Sequence, residues 1–367
     1  MKKITTNTKT LSNAVAIANT YTSKEGDYAG AITLVGNDGM IEVKATDMMQ
    51  TMVFKNIVFT SDDLTDPNFD AISLDGKKLA TVLKVAKSDE VIIEINDDFI
   101  VVKSNRSRVK IEIHAKAQEI TVVKDYGEKL ELSSFVDSME SLFHAIDINN
   151  PKYELNGMLM QAKEGLVSMV ATDTRRLAAV SKKANVKDLD IIIPKQAIST
   201  IIKHFNVEDV VAEADDVMLT VDTAMQSYST KLINGKFPDY QRIMPVEFSH
   251  TINLSTKSLA EVVEEASMFE SDILISIKNQ TLCASDLSKN TEAFSQEDET
   301  IDDSIEIFFA VNAKYVLEFI SSIEAETIEL CFNAHNVPFV LKAVDHQEVI
   351  MPIILPDVFE DDIEKAA

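Results

Sequence analysis

Three aspartates, Asp47, Asp173 and Asp286, each end a strand-like stretch and open a turn: Glu42-Val43-Lys44-Ala45-Thr46-Asp47, Ser168-Met169-Val170-Ala171-Thr172-Asp173 and Thr281-Leu282-Cys283-Ala284-Ser285-Asp286. Converging carboxylates could divide acid and base roles or hold a divalent metal. Each of these, however, occupies the same place in its own stretch of chain, and a repeat disperses such groups rather than gathering them. The expected role is an aspartate accepting the N–H groups of its turn. The histidines, His114, His144, His204, His250, His335 and His346, form no metal-ligand pair. Gly76-Lys77 and Gly235-Lys236 lack the upstream glycine and trailing Ser/Thr of a phosphate loop. Cys283 and Cys331 are too few for a disulfide framework and lack metal-ligand spacing, so they read as small buried residues in a reducing compartment. No catalytic residue, metal or cofactor is expected. A metal-independent hydrolase using the dispersed aspartates is the enzymatic rival, and turnover by the purified chain would favour it.

The elements that carry these aspartates recur three times. Polar caps and amphipathic helices begin at Asn7-Thr8-Lys9-Thr10-Leu11, Leu132-Ser133-Ser134-Phe135 and Ser255-Thr256-Lys257-Ser258-Leu259, and Leu11, Phe135 and Leu259 lie 124 residues apart. Later in each third comes a strand, a second helix and two strands. The second helices are read at Lys77–Lys87, Lys195–Phe205 and Ala313–Ile323, where Val82-Leu83, Ile201-Ile202 and Phe319-Ile320 correspond. The expected class is α+β: three repeated units, each with two helices packed on antiparallel sheets, at 1–126, 127–250 and 251–367. No Gly/Ser- or Pro-rich linker separates them. An acidic tail, 356–367, ends the third.

With 367 residues, 46% hydrophobic and 26% charged, the composition is that of packed multidomain proteins rather than disordered or fibrous chains. No apolar run approaches a membrane span, and the start lacks the apolar core of a secretory signal, so a cytoplasmic protein is expected. The net charge of −25 argues against nucleic acid unless positive charge is gathered on one surface.

Four segments carry a resemblance: Lys152-Tyr153-Glu154-Leu155-Asn156-Gly157-Met158, Val170-Ala171-Thr172-Asp173-Thr174-Arg175-Arg176-Leu177-Ala178, Gly235-Lys236-Phe237-Pro238-Asp239-Tyr240 and Val349-Ile350-Met351-Pro352. In order and spacing the chain resembles the beta subunit of bacterial DNA polymerase III, the sliding clamp. The resemblance implies three clamp-like domains per chain and a head-to-tail homodimer that closes a six-domain ring, helices lining the hole. It implies a processivity factor without catalysis of its own, which holds double-stranded DNA without regard to sequence. It also implies docking of the polymerase III alpha subunit, the clamp loader, other polymerases and repair proteins through short peptide motifs. Carried over residue by residue, the peptide cleft is Leu155, Thr172, Thr174, Arg175, Arg176, Leu177, Pro238, Arg242, Ile243, Val349, Met351, Pro352 and Ile353. Apolar walls would take aliphatic and aromatic anchors, and a cationic rim would meet polar atoms. Thr174-Arg175 departs from the Gly-His that the family often has there. The acidic tail extends beyond the family's usual end, and Phe359 and Ile363 could visit the cleft.

For DNA, Lys77 and Lys84 lie opposite the apolar stripe of Leu79, Val82, Leu83 and Ala86. In the second unit, Ile198, Ile201, Ile202 and Phe205 leave Ser199, Thr200 and Lys203 outward, with Lys195 in the first turn. Lys24, Lys152 and Tyr153 match the family's loop contacts. Against this, Glu261, Glu264 and Glu265 face outward in the third unit, which favours the alternative of an acidic protein-interaction scaffold that never meets DNA. The dimer seam implied by the resemblance joins Arg106, Arg108 and Val109 to Met268, Phe269 and Ile273.

Overall fold

The computed structural model describes residues 1–63, 65–105, 107–122, 130–295 and 301–355. The described elements run through the same succession three times. The first repeat is β1 (Lys2–Asn7), α1 (Thr8–Ala18), β2 (Ala31–Asn37), β3 (Met40–Thr46), β4 (Gln50–Ser61), β5 (Phe69–Asp75), α2 (Gly76–Val85), β6 (Glu90–Ile95), β7 (Phe99–Ser104) and β8 (Ser107–Glu112). The second is β9 (Leu130–Glu131), α3 (Ser133–Leu142), β10 (Gly157–Lys163), β11 (Leu166–Thr172), β12 (Arg176–Lys183), β13 (Leu189–Pro194), α4 (Lys195–His204), β14 (Val211–Ala214), β15 (Met218–Asp222) and β16 (Gln226–Lys231). The third is β17 (His250–Ser255), α5 (Thr256–Ala266), β18 (Asp272–Lys278), β19 (Thr281–Asp286), β20 (Glu292–Phe294), β21 (Ile307–Asn312), α6 (Ala313–Ser321), β22 (Thr327–Phe332), β23 (Phe339–Ala343) and β24 (His346–Ile350). The class is α+β, and the strand pairings are antiparallel.

The helices start where their caps dictate. Asn7 accepts from the Thr10 N–H, Asp75 from Lys78, Ser255 from Ser258 and Asn312 from Lys314. Leu11, Phe135 and Leu259 are all buried, so the 124-residue spacing marks equivalent core positions. The second helices end earlier than their sequence suggests: α2 stops at Val85, α6 at Ser321 and α4, one residue short, at His204. Ala86 adopts an extended conformation as the cap of α2 and leaves the apolar stripe, while Val82 is only half-buried. Thr200, expected outward, is buried, and its hydroxyl donates to the Gln196 carbonyl 3.1 Å away, which satisfies it inside.

Sheets run across repeat borders. β16 pairs with β4, from Gln226 opposite Phe54 to Thr230 opposite Gln50, and β12 pairs with β24, from Arg176 opposite Ile350 to Val180 opposite His346. The compact units therefore do not follow the repeats: one comprises 1–133 with 204–232, the other 134–203 with 233 onward. In the first unit, Tyr228 of β16 is fully buried, hydrogen-bonds Gln50 and packs on Tyr21 and Phe205, with ring centroids 5.9 and 6.2 Å away. In the second, His346 of β24 is buried with its ring edge-on to Phe319 at 5.1 Å.

Two outcomes follow. Tyr228→Ala removes a buried aromatic and should cost about 3–5 kcal/mol, read as an earlier urea transition of the unit that holds it. Burial, with His144 adding to it, holds the His346 imidazole at about 4 against an ordinary value of 6.5. The unfolded chain therefore binds the extra proton between these values, and stability falls as pH drops from 6.5 towards 4, by up to about 3 kcal/mol. Urea melts of wild type and His346→Phe across that range should differ in slope, the variant being flatter; equal slopes would exclude His346 as the source.

Candidate peptide cleft and basic surfaces

The turn between β11 and β12 is built by its own side chains. The Thr172 hydroxyl donates to the Arg176 carbonyl at 2.6 Å and accepts from the Thr174 N–H at 3.1 Å. Asp173 accepts from the N–H groups of Arg175 and Arg176 at 2.9 and 3.0 Å. The first repeat makes the same turn: Thr46 donates to the Gln50 carbonyl, and Asp47 accepts from the Met49 and Gln50 N–H groups at 2.9 and 2.7 Å. Asp286 accepts from the Asn290 and Thr291 N–H groups across a longer turn. The three aspartates thus serve their turns, and among the described residues no cluster of His, Cys, Asp and Glu could hold a metal ion. The shared turn puts Met48 and Thr174 at φ of 71° and 75°. A β-branched side chain at that angle is strained, where glycine would be at ease.

Beside this turn the second unit holds a cavity of about 230 Å³. Ten of the thirteen expected cleft residues line it: Leu155, Thr172, Thr174, Arg175, Arg176, Leu177, Pro238, Ile243, Val349 and Met351. Leu155, Leu177 and Val349 are at most 3% exposed and belong to a core with Leu159, Val170, Phe237 and Tyr240, so they are core and wall at once. Met351 and Ile243 are about half exposed and form an adaptable lip. A β-bridging hydrogen bond from the Met351 N–H to the Arg175 carbonyl, 2.9 Å, fastens the two sides. The space suits one or two apolar side chains, or a group of similar size.

Three expected residues stand apart. Arg242 turns to solvent and pairs with Asp239 at 2.9 Å; Pro352 is buried; and the Ile353 N–H donates to the Ala310 carbonyl. Arg176 lines the cavity but supplies no cationic rim. It is 4% exposed, and its guanidinium is engaged by Asp173, Glu318 and the His144 carbonyl, leaving Arg175 and Lys152 as the exposed cations. Sequence reading missed Phe237 and Tyr240, and assigned Lys152 to DNA alone, although all three line the cavity. The segment Gly235 to Tyr240 was the available signal, of which only Pro238 was carried over.

The basic residues divide similarly. Lys24, Lys77 and Lys84 are exposed in the first unit, and Lys152, Tyr153 and Lys203 in the second. Lys195 is not outward: its ammonium donates to the Ile146 carbonyl and lies 5.0 Å from the Phe143 ring centre, and burial draws its pKa below the usual lysine value. Glu261, Glu264 and Glu265 are exposed on α5, as read from the sequence. Of the expected seam, Arg108 is exposed, Val109 half-buried, and Met268 and Phe269 are 69% and 78% exposed, while Arg106 lies outside the described residues. Ile273 is fully buried in its own core and is withdrawn as an interface residue, since β18 is flanked on both sides by β19 and β21. One edge of that sheet is β20, whose Phe294 is 62% exposed. The tail, with Phe359 and Ile363, also lies outside the described residues.

Residues 129–239 match the central domain of the DNA polymerase III beta subunit, and residues 241–356 match its C-terminal domain. The beta sliding clamp of Helicobacter pylori (strain J99 / ATCC 700824) is 29% identical over 286 residues, covering 74% of this chain and 76% of that protein. That of Vibrio cholerae is 21% identical over 343 residues, covering 89% and 93%. Among solved structures, the H. pylori beta clamp bound to a DNA ligase peptide superposes with a TM-score of 0.87 at 24% identity, covering 96% of this chain and all of that one. The DNA polymerase III subunit beta of Pseudomonas aeruginosa superposes with a TM-score of 0.85 at 20% identity, with the same coverage. With the family matched over most of its length and the fold shared throughout, this chain belongs to the DNA polymerase III beta subunits, the bacterial sliding clamps.

Proposed function

We propose that two copies of this chain join head to tail into a ring of six domains, 1–126, 127–250 and 251–367 in each, that encloses duplex DNA in the cytoplasm and gives processivity to enzymes docked on it. The chain performs no catalysis of its own. The observation that carries the ring is a strand pairing made twice and left open once. β16 closes on β4 and β24 on β12, whereas their counterparts β8 and β20 are edges among the described strands. A bare edge invites pairing, and a second copy offers the complementary one.

The internal repeat supports a register for that seam. The ladder Ile4–Ile93–Val102–Val109 corresponds to Ile252–Leu330–Leu341–Glu348, and the pair Ala284–Ala293 to Ala171–Ala178. Since Ala178 lies opposite Glu348, Ala293 would lie opposite Val109 of the second copy. Glu292 then meets Lys110, and Phe294 meets Arg108. Opposite charge and a cation over a ring face both favour that register.

Enclosure answers the charge objection. A linked ring stays on DNA without tight binding, so a few screened lysine–phosphate contacts suffice and permit sliding. Lys77, Lys84 and Lys203, with Lys24, Lys152 and Tyr153 from loops, are the contacts proposed, and α5 contributes none. The cavity at Thr172–Leu177 takes the apolar anchors of partner peptides, those of the polymerase III alpha subunit and the clamp loader included; the DNA ligase peptide on the H. pylori clamp supports this reading.

Light scattering should give twice the 40.7 kDa of one chain. Glu292→Lys should weaken the dimer about fivefold or more, and Lys110→Glu added to it should restore the mass; a dimer indifferent to both would remove this register. On nicked circular DNA the chain should be retained at moderate salt and lost on linearisation. Lys77→Glu with Lys84→Glu should hasten that loss, while a protein that never loads on circles would be the acidic scaffold instead.

A further inference from the structure

Glu348 does not line the peptide cavity, yet its carboxylate is fully buried. One oxygen hydrogen-bonds His144 Nε2 at 2.8 Å, and the other lies 3.6 Å from Arg176 Nη1. Asp173 and Glu318 hold the remaining edges of the same guanidinium, at 3.1 and 2.6 Å, and Tyr315 stacks beneath it, 4.7 Å away. A buried carboxylate costs several kcal/mol unless a cation answers it, and β24 carries this one opposite Ala178, two residues beyond Arg176 on β12. Three carboxylates around one arginine cancel the positive charge of the buried part of the wall, so the cavity's cations are Arg175 and Lys152 at its exposed edge.

Building on the peptide-cleft reading, we propose that Glu348 determines the specificity of the cleft from behind its wall: by neutralising Arg176, it makes the cavity accept apolar anchors and refuse acidic ones. Without that charge, Arg176 is answered by Asp173 and Glu318 alone, the wall is less negative by one charge, and a carboxylate-bearing peptide gains. Glu348 acts through Arg176 and touches no ligand.

The test measures fluorescence anisotropy of two labelled hexapeptides on the full-length chain, one with Leu and Phe anchors, the other with glutamate in place of that leucine. Glu348→Gln keeps the shape and removes the charge. It should move the ratio of the two affinities towards the acidic peptide by about fivefold or more. A purely structural role weakens both peptides alike, so an unchanged ratio overturns the proposal. If Glu348→Gln does not fold, as judged by its melting transition, Glu318→Gln on the partly exposed face of α6 serves instead; it should shift the ratio about twofold, and no shift there is equally fatal. Failure of both peptides to bind the wild-type chain overturns the cleft reading, and this proposal with it.

Discussion

Backbone groups at the border of one repeat find their partners in the next, and this continuity of antiparallel hydrogen bonding is the constraint on which the rest depends. The β4–β16 and β12–β24 ladders leave no place for a flexible linker. They explain why the compact units cut through the second repeat, whose strands β14 to β16 belong with β4 while its helices belong elsewhere. They also place the cavity proposed for partner peptides. Leu177 faces Val349 across the β12–β24 ladder, and those two side chains are wall and core together.

Charge is managed by location. An excess of twenty-five negative charges works against holding DNA by affinity unless positive charge is gathered on one surface, but a topological grip asks little of each lysine. The same economy appears inside, where Arg176 is surrounded by Asp173, Glu318 and Glu348. Basic residues that look alike in the sequence consequently have different fates: Lys77 and Lys84 remain in solvent, whereas Lys195 donates to a carbonyl and Arg176 is enclosed.

What could be read from the sequence was what repeats or alternates. The spacing of Leu11, Phe135 and Leu259, the strand-ending aspartates and the outward glutamates of α5 are local patterns, and each appears in the structure in the role its pattern implied. The failures share a cause, since burial by a distant element leaves no local trace. Thr200 looks outward on a helical wheel, and the resemblance places Ile273 at the seam, yet both are buried. The family resemblance located most of the cavity wall, but assigned Arg176 a rim because a motif records residue types and not which charges a side chain already serves. Phe237 and Tyr240 lay inside a recognised segment and were passed over because aromatic residues in a loop look structural until a cavity opens beside them.

Thr174 sits at φ 75° with a branched side chain, in a turn fixed by Thr172 and Asp173. Such a backbone cannot wander far, because relaxing it would break the hydrogen bonds that hold it. A peptide docked as proposed would therefore meet a preset turn beside the adaptable Met351 and Ile243, and would forfeit little backbone freedom in shaping it. The exchange of one client for another is then governed by how fast the occupant departs, and a crowded ring can change hands without remodelling itself.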